Sequence, residues 1–140
     1  MNKKILPSTP SDLQKLALSA LSDLTPLFLE HTASDIQFML SALDSARSAS
    51  ATKRYTLIRD DFFRKAHDMK GEGSTFDYPL LTFLGTVMCD YLRPKTSISK
   101  TDLDFLSACM TDVKTVFDQK ITGENNAFSK TLHQKWGKNG

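Results

Sequence analysis

The feature that most constrains this chain is the spacing of its apolar residues between 103 and 117. Leu103, Leu106, Met110, Val113 and Phe117 recur at steps of three, four, three and four. That period gathers them on one face of a helix and scatters them on a strand. It suits a helix in an antiparallel bundle. The same period appears upstream. Leu13, Leu16, Ala17, Ala20 and Leu21 follow Pro10, with Ser11 expected as the N-cap. Thr25-Pro26 reads as a second start, a capping hydroxyl followed by proline at the first helical position. Leu29, Ile36, Met39, Leu40 and Leu43 then trace a stripe that is expected to end in a loop at residues 48–52.

A third helix is expected from about residue 53 to about residue 75, with Asp77 and Pro79 marking a turn and a new start. Residues 80–92 are apolar on most faces and should be deeply buried. Arg93-Pro94 stops that segment, because the residue before proline disfavours the helical region. Ser99 and Asp102 have the spacing of a capping box with Asp in place of Glu. Gly123 is expected to break the last bundle helix, and Phe128, Leu132 and Trp136 recur at four-residue steps beyond it. Strand alternation and internal repeats are absent. The expected fold is all-α, a four-helix antiparallel bundle over residues 11–122. A flexible lead-in (1–10) precedes it, and a tail (123–140) is expected to pack on it as a short helix.

The chain of 140 residues suits one domain able to bury its own core. Eighteen basic and sixteen acidic residues leave a net charge of +2, which argues against a nucleic-acid partner. No apolar run reaches the length of a membrane span, and Pro7 to Pro10 interrupt any signal-like segment. Cys89 and Cys109 show no metal-ligand spacing and fall on apolar stretches, so they are expected to be buried small hydrophobes. His31 and His133 have no partner at a ligand spacing and are expected on the surface. A cytoplasmic monomer without metal or cofactor is the expectation.

The third helix carries the candidate chemistry. At 100° per residue, Ile58, Phe62, Ala66, Met69, Gly73 and Phe76 fall in one arc, the core face. His67 lies roughly 140° from the centre of that arc, so it is expected on the outside of the helix. Gly71 and Gly73 each cost up to about 1 kcal/mol relative to alanine in a helix, and such a cost needs a reason. Gly71, at i+4, leaves the surface one turn on from His67 without a side chain. Gly73 points inward, where it would let another helix approach. Lys70, at i+3, can reach a group attached to the imidazole, and its ammonium offers three donors to a phosphoryl group. An exposed imidazole is substantially neutral at pH 7, as a nucleophile must be. Arg64 and Lys65 flank His67 and are expected to add positive charge near it. Phe63 lies on the flank near Lys70 and is expected to be half buried.

These residues resemble a known family. The segment Ala66-His67-Asp68-Met69-Lys70-Gly71 is similar to the HxxKG signature of histidine phosphotransfer (HPt) domains. The continuation Gly73-Ser74-Thr75-Phe76-Asp77-Tyr78 resembles the same stretch in the phosphoryl-accepting domain of chemotaxis histidine kinases. Leu27-Phe28-Leu29-Glu30 resembles the helix that opens the HPt bundle, and the likeness spans residues 24–120. It implies that His67 takes up a phosphoryl group in a phosphorelay and that Lys70 stabilises it. Gly71 would give a receiver domain of a response regulator or hybrid kinase room to dock, and Phe63, Arg64, Lys65 and Ser74 are the further residues of this chain expected to face it. The receiver would supply the acceptor aspartate and Mg²⁺; the carrier would not be an enzyme in its own right. Two positions depart from the family pattern. Asp77 stands where a glycine is usual, and could instead cap the helix starting near Pro79. Cys89 stands where several members place a Gln or Glu that hydrogen-bonds the imidazole, which leaves Asp90, water or nothing to orient the ring. An alternative expectation is a helical adaptor that binds receiver or kinase domains without transfer. A kinase fragment is excluded because the chain has no glycine-rich nucleotide-binding loops.

Overall fold

The computed structural model describes residues 10–137, and the expected lead-in lies almost wholly outside them. Helices α1 (Pro10–Arg47), α2 (Ala51–Tyr55), α3 (Phe63–Glu72), α4 (Pro79–Leu92), α5 (Lys100–Asp118) and α6 (Ala127–Trp136) come in that order along the chain. A π-helical stretch, Thr56–Phe62, joins α2 to α3 without a break, so residues 51–72 form one rod. The described residues contain no strand, and the fold is all-helical.

Several boundaries differ from those expected of the sequence, each for a local reason. The expected start at Thr25-Pro26 does not occur, and α1 runs through it. The Thr25 hydroxyl donates back to the Leu21 carbonyl at 2.9 Å instead of capping a new helix. Pro26 forfeits one N–H, but the carbonyl left over belongs to Ser22, an exposed residue whose oxygen water can reach. Ser11 is not a cap either, because the helix already includes Pro10. The expected loop at 48–52 shrinks because Ser50 accepts from the Lys53 N–H at 3.3 Å and starts α2. The third helix ends at Glu72, and a 3₁₀ turn, Ser74–Phe76, takes its last residues.

Asp77 does not cap the next helix. It adopts the left-handed conformation, φ 68° and ψ 32°, and Tyr78 precedes Pro79 without any side-chain cap. Asp is among the residues that tolerate this region, which explains how it replaces glycine here. The capping box at α5 forms in full: Ser99 Oγ accepts from the Asp102 N–H, and Asp102 Oδ2 accepts from the Ser99 N–H. α5 ends at Asp118, ahead of Gly123, with Lys120 (φ 53°) and Gly123 (φ 73°) turning the chain.

The core is the shared interior of these rods. Met39 from α1, Ile58 and Phe62 from the π stretch, Leu80, Leu84 and Met88 from α4, and Leu103, Leu106 and Met110 from α5 are fully buried. Cys89 and Cys109 are buried and free. Phe28 stacks on Phe76 (4.5 Å between centroids) and touches Tyr78, so α1 closes over the turn after α3. The tail helix α6 is held by Leu132 and Trp136. The Trp136 indole donates to Asp112 Oδ2 at 2.8 Å, and its ring meets Phe105 edge-on. No helix among the described residues is long and apolar enough to cross a membrane.

Candidate functional site

The core face of α3 sits as its period requires: Ala66, Met69 and Gly73 are buried, while Phe76 beyond it is half-buried. His67 is exposed on the other side. Among the described residues no group hydrogen-bonds its imidazole, and its one ring neighbour is Phe63, 6.4 Å away. His67 borders an open groove of roughly 670 Å³ with Arg59, Asp60, Asp61, Phe63 and Arg64.

Two glycines shape this surface and a third sets its depth. A methyl group placed on Gly71 would meet nothing within 4 Å, so the space one turn beyond His67 is open. Gly73 does face inward: a Cβ there would lie 2.6 Å from Thr82 Oγ1 and 2.7 Å from the Tyr78 carbonyl. Gly85 on α4 did not stand out in the sequence. A Cβ on Gly85 would lie 2.9 Å from the Ala66 carbonyl and 2.9 Å from the Lys70 nitrogen. α4 therefore presses against the backbone of the one turn that carries His67 and Lys70. A glycine inside an otherwise apolar helix was the available signal for it.

The cations divide into two groups. Lys70 is half-buried and makes no ion pair among the described residues, which leaves its ammonium available beside His67. Arg64 lies one turn before His67, with Asp61 Oδ1 at 3.5 Å. Lys65 does not join them. Residues two apart on a helix do not share a face, and Lys65 reaches α1, 3.1 Å from the buried Asp35 and over the Phe38 ring. His31 holds the same carboxylate at 3.2 Å. Ser74 also belongs to the scaffold: its N–H and hydroxyl both contact Thr82 Oγ1, tying the 3₁₀ turn to α4.

Arg59 is a further cation at the site that did not stand out in the sequence. It lies four residues before Phe63 and eight before His67, and steps of four place side chains side by side along a helix. Arg59 stands over the Phe63 ring at 4.6 Å and donates to the Arg93 carbonyl at 3.3 Å. Arg59, Phe63 and His67 form a column along the groove. The groove's two arginines are matched by Asp60 and Asp61, so its charge is mixed and not simply basic.

Neither Cys89 nor Asp90 hydrogen-bonds the ring. Cys89 is fully buried, and burial pushes its thiol up although Lys70, Arg93 and Arg59 pull it down. Asp90 pairs with Arg93 at 2.7 Å. No group of acidic, histidine or cysteine side chains among the described residues could hold a metal ion. No protein-family model, curated protein or solved structure matches this chain.

Proposed function

We propose that this chain is a phosphorelay carrier of the HPt type, built as a four-helix antiparallel bundle, in which His67 accepts and passes on a phosphoryl group. The observation that carries the reading is the setting of His67. Among the described residues no group hydrogen-bonds this exposed imidazole or pairs with the Lys70 ammonium beside it, and the space at Gly71 is open. The backbone of that turn is held by the close approach of Gly85.

In the transfer, the unprotonated ring nitrogen of His67 attacks the phosphorus of an aspartyl phosphate on a receiver domain. The P–N bond forms as the P–O bond to the aspartate breaks, and the carboxylate leaves. Lys70 offers hydrogen bonds to the phosphoryl oxygens. Mg²⁺ in the receiver's acidic site would neutralise the charge of the transferring group. The carrier contributes a positioned nucleophile and a clear approach. The reverse step delivers the group to a second receiver in the cytoplasm.

A second reading, an adaptor that binds receiver or kinase domains without transfer, is favoured because no side chain among the described residues hydrogen-bonds the imidazole. One experiment separates them. The protein is incubated with phosphorylated receiver domains, and label is followed on wild type and on His67→Gln. Transfer predicts acid-labile, base-stable label on wild type alone. Binding of receivers with no label on either protein overturns the carrier reading in favour of the adaptor. Label on His67→Gln overturns the choice of residue.

A further inference from the structure

Residues 11–27 of α1 bury no side chain; the first buried residue of the helix is Phe28. Residues 11–27 thus extend about 25 Å along a helix without a buried face. Helices of this length are marginal in water unless an amphipathic face is covered. Yet this segment carries Leu13, Leu16, Leu24 and Leu27, each 46% to 60% exposed. At 100° per residue, Leu16, Leu27, Ala20, Leu13 and Leu24 occupy an arc of about 80° centred on Ala20. The arc lies roughly 90° around the helix from the stripe that enters the core, so it is a separate surface. It contains no charged residue.

We infer that this arc pairs with the same arc of a second copy in an antiparallel helix dimer centred on Ala20. The spacing is self-complementary about that residue. With Ala20 opposite Ala20, Leu13 falls opposite Leu27 and Leu16 opposite Leu24, so each leucine meets a leucine. The two members of each pair sit on opposite sides of the arc's midline, and they interdigitate. The small side chain at the centre lets the axes approach. A two-fold interface requires one patch that matches itself, and this one does. Over residues 10–30, Asp12, Asp23 and Glu30 outnumber Lys15, a balance unsuited to an anionic lipid surface. The contact strip of two helices this long covers on the order of 800 Å² in total. Long-lived complexes bury at least about 1,200 Å². The dimer is therefore weak and concentration-dependent, and it replaces the monomer expected from sequence. It is independent of the role of His67.

Sedimentation of the full chain over roughly 5 to 500 µM tests the pairing in the range of weak complexes. The expected result is a monomer at the low end and a growing dimer fraction at the high end. Leu16→Gln with Leu24→Gln should weaken association at least tenfold while helix content is retained. Cysteine cross-linking tests the register. Ala20→Cys should link to itself on mild oxidation. Leu13→Cys should link to Leu27→Cys in a mixture but not to itself, since its own copies stand about 21 Å apart and a disulfide spans less than about 7 Å. Cys89 and Cys109 are buried and stay out of the reaction. A monomer at every concentration overturns the inference, as does self-linking of Leu13→Cys, which means parallel helices. Binding of the chain to phosphatidylserine vesicles through the same leucines overturns it in favour of a membrane surface.

Discussion

Gly85 and Gly71 predict opposite outcomes for the same substitution. Alanine at Gly85 places a methyl group 2.9 to 3.0 Å from the Ala66 carbonyl, the Lys70 nitrogen and the Lys70 Cα. All three atoms are backbone, fixed by the hydrogen bonds of α3, so none can rotate aside. The helices must part, and overpacking of this kind costs about 1–3 kcal/mol. Helix propensity returns at most about 1 kcal/mol. A net loss of about 1–2 kcal/mol is expected. Alanine at Gly71 meets nothing within 4 Å and should gain roughly 0.5–1 kcal/mol. With a urea slope of about 2 kcal/mol per molar, the two variants should bracket wild type, their midpoints about 1 M apart. Urea denaturation followed by circular dichroism reads this directly. The Gly85 variant should also lose phosphoryl uptake, because the displaced turn carries His67; the Gly71 variant should keep it. A Gly85→Ala midpoint at or above that of wild type would refute the argument that backbone contact holds the site turn.

Other contacts give further expected outcomes. Lys65→Ala leaves the buried Asp35 with His31 alone and should cost about 1–3 kcal/mol in thermal denaturation, with labelling of His67 unchanged. Burial raises the Asp102 carboxyl, but hydrogen bonds from Ser99, Tyr91 and Lys95 outweigh it and hold the group below its ordinary 3.8. Its contribution is therefore present above that pH and lost as pH falls through the lower folded value, so Asp102→Asn should flatten the acid limb of a stability profile. Burial and the bond to Asp102 push Tyr91 up to about 12, so that contribution is intact below pH 10 and lost as pH rises through about 12. Tyrosinate absorbance should lose its latest step in Tyr91→Phe. Asp112→Ala removes the carboxylate that accepts from the indole of Trp136, the only tryptophan, and its emission should shift to the red as α6 loosens. Arg59→Gln should raise the KM for a receiver about tenfold while chemical phosphorylation of His67 stays normal.

The all-helical class was legible because three-and-four spacing admits no other regular structure. Boundaries were legible where one residue's own chemistry decides them. Ser99 and Asp102 satisfy each other's N–H groups, and Arg93-Pro94 cannot continue a helix, so both ends fell where expected. Boundaries failed where the outcome rests on energy from elsewhere. Thr25-Pro26 carries every local mark of a start. α1 nevertheless runs through it: Ser22, whose carbonyl loses its partner, is an exposed residue, and Thr25 finds an acceptor within the helix. Asp77 failed for a related reason. Its side chain suits a cap, but the turn after α3 needs a left-handed residue at that position, and Asp meets that need at a tolerable cost.

The site was legible wherever a regular helix is a good ruler. His67, Lys70 and Gly71 lie within five residues of each other, and the wheel put His67 outside and Gly73 inside. Lys65 could have been excluded by the same ruler, since a step of two turns a side chain through about 200°. The same ruler reaches upstream: Arg59, Phe63 and His67 are four residues apart, and their contacts follow that step although Thr56–Phe62 is π-helical. Arg59 could therefore have been placed by steps of four, and its position can be tested apart from its charge. Exchanging two neighbours, Arg59→Asp with Asp60→Arg, keeps the net charge and turns the guanidinium about 100° around the rod. Arg59→Lys should keep both the charge and the position. If the exchange weakens receiver docking as much as Arg59→Gln does, while Arg59→Lys does not, the position and the cation act together. If the exchange leaves docking intact, the alignment of Arg59 with His67 has no part in recognition.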